Sequence, residues 1–152
     1  MKMEISQRRR TRQRGNALIE FALCSVLLLI ITAGVTDFAR LFTIADMAAS
    51  SASAGTQYGA LSPAHYGDFA GMQDAALEDT GYLTGATATA SQTCYCNVGG
   101  SAVTCPATGC GGGGSPEAYV TVQTSVPFTP IFTYPWIPTL ISVSGSSTVR
   151  VQ

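Results

Sequence analysis

Three groups of residues in this 152-residue chain are of types that could do chemistry: a lone carboxylate, Glu20, in an apolar run; a serine–histidine pair, Ser62 and His65; and four clustered cysteines, Cys94, Cys96, Cys105 and Cys110. A carboxylate inside a membrane-spanning helix costs about 2.5–3.5 kcal/mol near the bilayer centre and less toward the interface, so it marks either a functional group or a residue hydrated at headgroup depth. The charge alone leaves both open. His65 is the only histidine and lies three residues after Ser62 in a proline-broken stretch. A serine nucleophile needs its histidine oriented by a third group, and nothing in the sequence marks one, so His65 is expected to be an exposed loop residue. Asp74, Glu78 and Asp79 share the end of a helical pattern and read as its solvated face. No catalytic residue, cofactor site or metal site is expected, and the chain reads as a non-enzyme.

The four cysteines follow C-x-C and then C-x4-C, which does not match the paired C-x2-C knuckles of structural zinc sites. Two disulfides are the better reading for an oxidising compartment. Of the three possible pairings, a nested one is expected, Cys96 with Cys105 and Cys94 with Cys110, because residues flanking a turn at Asn97–Gly100 should face each other across a hairpin. Loops of this length contribute about 2–3 kcal/mol each on a chain-entropy view, useful to a domain too small for a large core. The fifth, Cys24, lies in the apolar run and reads as a small buried hydrophobe, with lipidation or a subunit contact as alternatives.

The element that must position Glu20 is a helix. Ala17–Val35 supplies 19 largely apolar residues, and at a rise of about 1.5 Å per residue such a helix spans a bilayer's hydrocarbon core. Lys2, Arg8, Arg9, Arg10, Arg12 and Arg14 precede it, which orients the N-terminus to the cytoplasm and everything after about Ile44 to the outside. Before Asn16 the net charge is +5 and after it −6, so the overall −1 conceals a basic leader and an acidic remainder. Directly followed by a span, the arginine cluster is a topology signal rather than a nucleic-acid patch. A secretory signal peptide cleaved near Ala33 or Gly34 is the rival, opposed by Glu20 at the head of the apolar run and by a helical pattern that continues through that site.

Residues Met1–Arg14 lack apolar periodicity and are expected to be disordered. From Asn16 one helix is expected to reach about residue 60: no proline occurs before Pro63, and Leu41, Ile44, Ala45, Ala48 and Ala52 form one stripe. Asp37 and Arg40 stand one turn apart, as an interfacial ion pair would, and the small-residue tract Met47–Gly55 suits close packing. A second helix is predicted over Gly67–Asp79, followed by strands at Ala86–Cys94, Ser101–Cys105, Ala118–Val126 and Ile141–Val151. Asn97–Gly100 and the glycine run Gly111–Gly114 read as turn and linker, and Pro127, Pro130, Pro135 and Pro138 as an irregular loop. Phe128, Phe132, Tyr134 and Trp136 in that loop are expected to cover the sheet, with an adhesive surface as the alternative. The fold class is thus α+β: a long N-terminal transmembrane helix continuing into a small domain with a second helix and a short disulfide-stapled antiparallel sheet.

Gly15 ending a basic leader, Glu20 five residues beyond it and Phe21 next resemble the cleavage motif of type IV prepilins. The wider stretch from Arg14 to about Ala60 resembles the TadE-like pseudopilins of tight-adherence (Tad, type IVc) pilus systems, and the region beyond matches only loosely. The resemblance implies a basic leader over 1–15, a long helix over 16–60 with its transmembrane half at about 17–37, and an extracytoplasmic α+β domain over 61–152. It implies cleavage between Gly15 and Asn16 by a prepilin peptidase, and a role for Glu20 and Phe21 in assembly and register. The implied partners are that peptidase, other pilin and pseudopilin subunits, the Tad inner-membrane assembly machinery and the lipid bilayer, with no nucleic acid. The implied location is the bacterial inner membrane, single-pass, with the C-terminal domain in the periplasm and incorporation into an extracellular pilus left open. The outer region is longer than the little beyond the helix that a short major pilin carries, so a minor pilin or pseudopilin serving surface adherence is expected; an uncleaved single-pass protein with a partner-binding periplasmic domain is the alternative.

Overall fold

The computed structural model describes residues 2–81, 83–96, 100–105, 110, 114–133 and 135–151, with side chains described from residue 16 onward. In order these form α1 (Lys2–Ala60), α2 (Phe69–Asp79), β1 (Thr87–Tyr95), β2 (Ala102–Val103), β3 (Glu117–Phe128) and β4 (Ile141–Arg150). The four strands make one antiparallel sheet in the order β2-β1-β3-β4, giving the expected α+β class. Two compact units divide the chain, residues 1–39 and 40–152.

The first unit is helix. Residues 2–14, expected to be disordered, are helical and continuous with the apolar stretch beyond them. Arg, Gln, Lys, Glu and Met are all good helix formers, and no glycine interrupts them before Gly15, so propensity alone suffices without an apolar face.

In the second unit the remainder of α1, from Arg40 to Ala60, packs on the sheet. Ala48 and Ala52 of the predicted stripe are wholly buried, and the buried face continues through Ser51, Gly55, Thr56 and Gly59. The side chains are small because the backbones nearly touch: a Cβ on Gly145 of β4 would collide with the Ala48 carbonyl, and one on Gly55 would stand only 2.7 Å from the Met72 carbonyl oxygen. Two hydroxyls bond across this seam, Thr124 Oγ1 donating to the Ala48 carbonyl at 2.5 Å and Thr56 Oγ1 meeting Ser147 Oγ at 2.9 Å.

Strand β3 supplies the floor. Every second residue, Ala118, Val120, Val122, Thr124, Val126 and Phe128, is buried, as a half-covered strand requires. Gly59 abuts Val120, Gly55 abuts Val122, Ala48 accepts from Thr124, and Arg40 sets its guanidinium 5.5 Å from the Phe128 ring centre. The helix therefore runs antiparallel to β3, with Arg40 at the strand's C-terminal end. Met72 and Ala76 of α2 fill the remaining space against Val120 and Val122.

Helix α2 begins at Phe69, two residues later than predicted, because Asp68 caps it by accepting the Gly71 N–H. The expected strand over Ser101–Cys105 shortens to Ala102–Val103, while β3 extends through Pro127 to Phe128. Pro127 is thus a strand residue rather than part of the irregular loop. It is tolerated because the β1 ladder ends at Thr87 opposite Ser125, so at Pro127 the strand has only β4 beside it. The expected turn and linker fall outside the described residues at 97–99 and 111–113, as does Tyr134. Trp136 does not cover the sheet; it is 94% exposed.

The disulfides are Cys94–Cys105 and Cys96–Cys110, not the nested pairs expected. Register explains the correction. Val103 lies opposite Cys94, so Cys105 is two residues along from Cys94's partner but four along from the position opposite Cys96. At roughly 3.3 Å per residue only the diagonal Cys94 is in reach. The nested pairing requires a hairpin midpoint two residues later than the one the strands adopt.

Two measurements test this packing. Gly145→Ala should lower the unfolding free energy by about 1–3 kcal/mol by overpacking, while Gly67→Ala, at a position open to solvent, should leave it nearly unchanged in denaturant titrations. In Cys105→Ser, thiol alkylation followed by chain cleavage after Tyr95 should find the label on Cys94 and none on Cys96.

Candidate membrane and assembly site

Gly15, Asn16, Glu20 and Phe21 all lie on α1. Within residues 16–36 the helix buries almost nothing: Leu18, Ile19, Phe21, Leu23 and Val26–Ile31 stand exposed, forming one helix long and apolar enough to cross a membrane. Exposed apolar surface on this scale belongs against lipid or another protein. The hydroxyls in the stretch are satisfied locally. Ser25 donates to the Ala22 carbonyl at 2.9 Å, Thr32 to Leu28 and Leu29 at 2.9 Å, and Thr36 to Thr32 at 2.8 Å. Such back-bonding lets hydroxyls enter an apolar medium without an orphaned donor.

Glu20 lacks that resource. It is exposed, and among the described side chains none forms an ion pair with it. Asn16 lies four residues before it, hence on the same helix face. Cys24, expected to be buried, is an exposed free thiol on the same apolar surface. Its burial would have to come from lipid or a partner, since a single helix has no interior. Asp37, three residues before Arg40, is buried.

His65 is not the bare loop residue expected; it is half-buried, its ring edge-on to Tyr58 at 4.7 Å. Ser62 Oγ lies 2.7 Å from His65 Nδ1, and the His65 N–H donates to the Ser62 carbonyl at 2.9 Å, a local turn. A third group does lie nearby, Asp68, but its oxygens are taken by the Tyr58 hydroxyl at 2.9 Å and the Gly71 N–H at 3.0 Å. A nucleophilic relay would need that carboxylate on the imidazole. The arrangement instead ties the end of α1 to the start of α2.

The Gly71 N–H and then the Tyr58 O–H stabilise the Asp68 carboxylate and hold its pKa below the usual value, with His65 adding to this; the same hydrogen bond raises the Tyr58 phenol.

The outer face of the sheet carries a groove that sequence reasoning missed, lined by Thr93, Tyr95, Glu117, Tyr119, Thr121 and Thr148. Tyr95 and Tyr119 meet edge to face at 5.8 Å, Glu117 accepts from the Tyr119 hydroxyl at 3.0 Å, and Arg150 pairs with Glu117 at 3.1 Å. The signal was present, since alternation in Ala118–Val126 puts Tyr119 and Thr121 opposite the valines. What joins them to Tyr95 and Arg150 is strand pairing.

Because the folded-state pKa of Asp68 is depressed, its contribution to stability is present above the ordinary carboxylate value of about 3.9 and is lost as pH falls through the folded value. The protection of the Gly71 amide, the slowing of its exchange relative to an unstructured peptide at the same pH, should therefore fall on acidification through the folded value. In Asp68→Asn that protection should already be lower at neutral pH and respond little to acid.

Residues 15–57 match the family model described as TadE-like protein. No curated protein and no solved structure matches the chain. The matched stretch begins at Gly15 and takes in Glu20, the apolar surface and most of the helical face that packs on β3. Over residues 15–57, therefore, the chain is similar to TadE-like proteins.

Proposed function

We propose that the protein is a minor pilin or pseudopilin of a Tad pilus system, matured by a prepilin peptidase that cuts between Gly15 and Asn16. The observation that carries this reading is the TadE-like match, which opens at Gly15 and includes a lone carboxylate five residues on, at the head of an exposed apolar helix. Gly15 is the first glycine in α1 and weakens the helix locally by about 1 kcal/mol relative to alanine. That favours the opening a protease needs to bind an extended strand, and the missing side chain lets its active site approach.

Cleavage has two physical consequences. It removes the leader with its five arginines and Lys2, the charges that would hold the helix in its membrane position. It also frees an α-amino group on Asn16, largely protonated at neutral pH with a reference pKa of about 8. In this reading that ammonium pairs with Glu20 of a neighbouring subunit. A carboxylate that is costly alone becomes tolerable when paired, so the pairing favours one axial register between helices and penalises others. Once outside lipid, Leu18, Ile19, Phe21, Leu23 and Leu27–Ile31 pack against sister helices under a hydrophobic drive that lipid does not supply. Glu20 then acts as a register device rather than a catalyst, and the protein as a non-enzymatic assembly component facing the periplasm.

Intact mass and N-terminal sequencing of protein isolated from its native membrane should give a chain beginning at Asn16. A chain beginning at Met1 with active peptidase present would instead make it an uncleaved single-pass anchor. Glu20→Ala should leave maturation intact and reduce pilus assembly at least tenfold, the scale of about 1.4 kcal/mol, whereas Gly15→Ala should block maturation.

A further inference from the structure

The connection between β3 and β4 presents an apolar surface that the sheet does not use. Ile131, Phe132, Trp136, Ile137 and Leu140 are exposed, Trp136 at 94%. Prolines at 130, 135 and 138 keep it irregular, and residues 118–149 contain no Asp, Glu, Lys or Arg. A surface apolar cluster without charge is costly in water and marks contact with lipid or protein.

Its place in the fold identifies the partner. The connection leaves and returns at the rung where Phe128 faces Ile141. The Arg40 guanidinium stands 5.5 Å from the Phe128 ring centre, and Arg40 is the first residue of the second unit, joined directly to the exposed apolar helix before it. The connection thus lies at the end of its unit where the chain passes to the segment of membrane-spanning length. The disulfide-bonded strands lie at the opposite end of β3, where Tyr95 faces Glu117.

We propose that the β3–β4 connection is a second membrane foot, inserting Trp136 and its apolar neighbours at headgroup depth in the same bilayer that α1 crosses. The chemistry fits that depth. Tryptophan's amphipathic ring prefers the membrane interface, where the non-helical, proline-interrupted backbone can keep its polar groups hydrated. The absence of carboxylates removes repulsion from anionic lipid headgroups. Docking at two points would restrict the tilt of the domain on its helix while the protein is in the membrane. The inference rests on the reading of residues 17–37 as a membrane span, and the test separates the two.

Trp136 is the only tryptophan in the chain, and Cys24 is a free thiol on the apolar helix. The full chain, labelled at Cys24 with an environment-sensitive fluorophore, is reconstituted into phosphatidylcholine–phosphatidylglycerol vesicles with and without lipid brominated high on its acyl chains. The expected result is quenching of both signals by the brominated lipid, with Trp136 emission blue-shifted from its position in water and shielded from aqueous iodide. If the Cys24 label is quenched while Trp136 keeps water-like emission open to iodide, the span stands and the foot is refuted. If neither signal responds to brominated lipid, the span reading fails and the inference with it.

Discussion

The second unit depends on how closely the backbone of α1 approaches the sheet. Where Ala48 passes over Gly145 there is no room for even one additional carbon, and Gly55 leaves none against Met72. Small side chains give up apolar area, and the loss is offset by contact between main chains and by hydroxyl hydrogen bonds from Thr124 and Thr56 in a dry seam. Such a seam restricts the register, because sliding the helix by one residue in one direction sets Met47 in place of Ala48 against Gly145. Arg40 is thereby held at the end of the sheet marked by Phe128, and Gly59 beside Val120.

Other features of the unit depend on that placement. With α1 occupying β3 and β4, Met72 and Ala76 of α2 complete the core over Val120 and Val122, held by a cap at Asp68 that also receives the hydroxyl of Tyr58 on α1. The short β2 edge offers little hydrophobic burial, and two disulfides secure that part of the chain instead. His65, which in isolation invites a catalytic reading, belongs to the same structural tie between the two helices.

The first unit obeys a different solvent. Over residues 16–36 its side chains stand almost wholly exposed, its hydroxyls turn back on their own carbonyls, and Glu20 is the one charged residue of that stretch. An apolar surface of this extent belongs against lipid or another protein. The TadE-like match over residues 15–57 takes in this exposed apolar surface and most of the small-residue face beyond it.

The end of α1 near residue 60, the α+β class and the approximate strand positions were legible in the sequence because they depend on local periodicity: 3.6 for the stripe through Ala48 and Ala52, 2 for Ala118–Val126, and Pro63 as a helix stop; the helix over residues 2–14, which has no apolar periodicity, was not. The basic N-terminal stretch, Glu20 and the apolar run were legible for the same reason, since membrane partition reads composition along the chain. Tertiary structure alone decided what depends on distances between segments far apart in sequence. The disulfide partners turned on a hairpin register shifted by two residues, and Pro127 entered β3 because β1 ended at Thr87. The groove at Tyr119 and the return of the β3–β4 connection at the Phe128 end of the sheet likewise required knowing which strand lies next to which. No one-dimensional pattern carries that, because pairing energy is spread over rungs whose partners the sequence does not name.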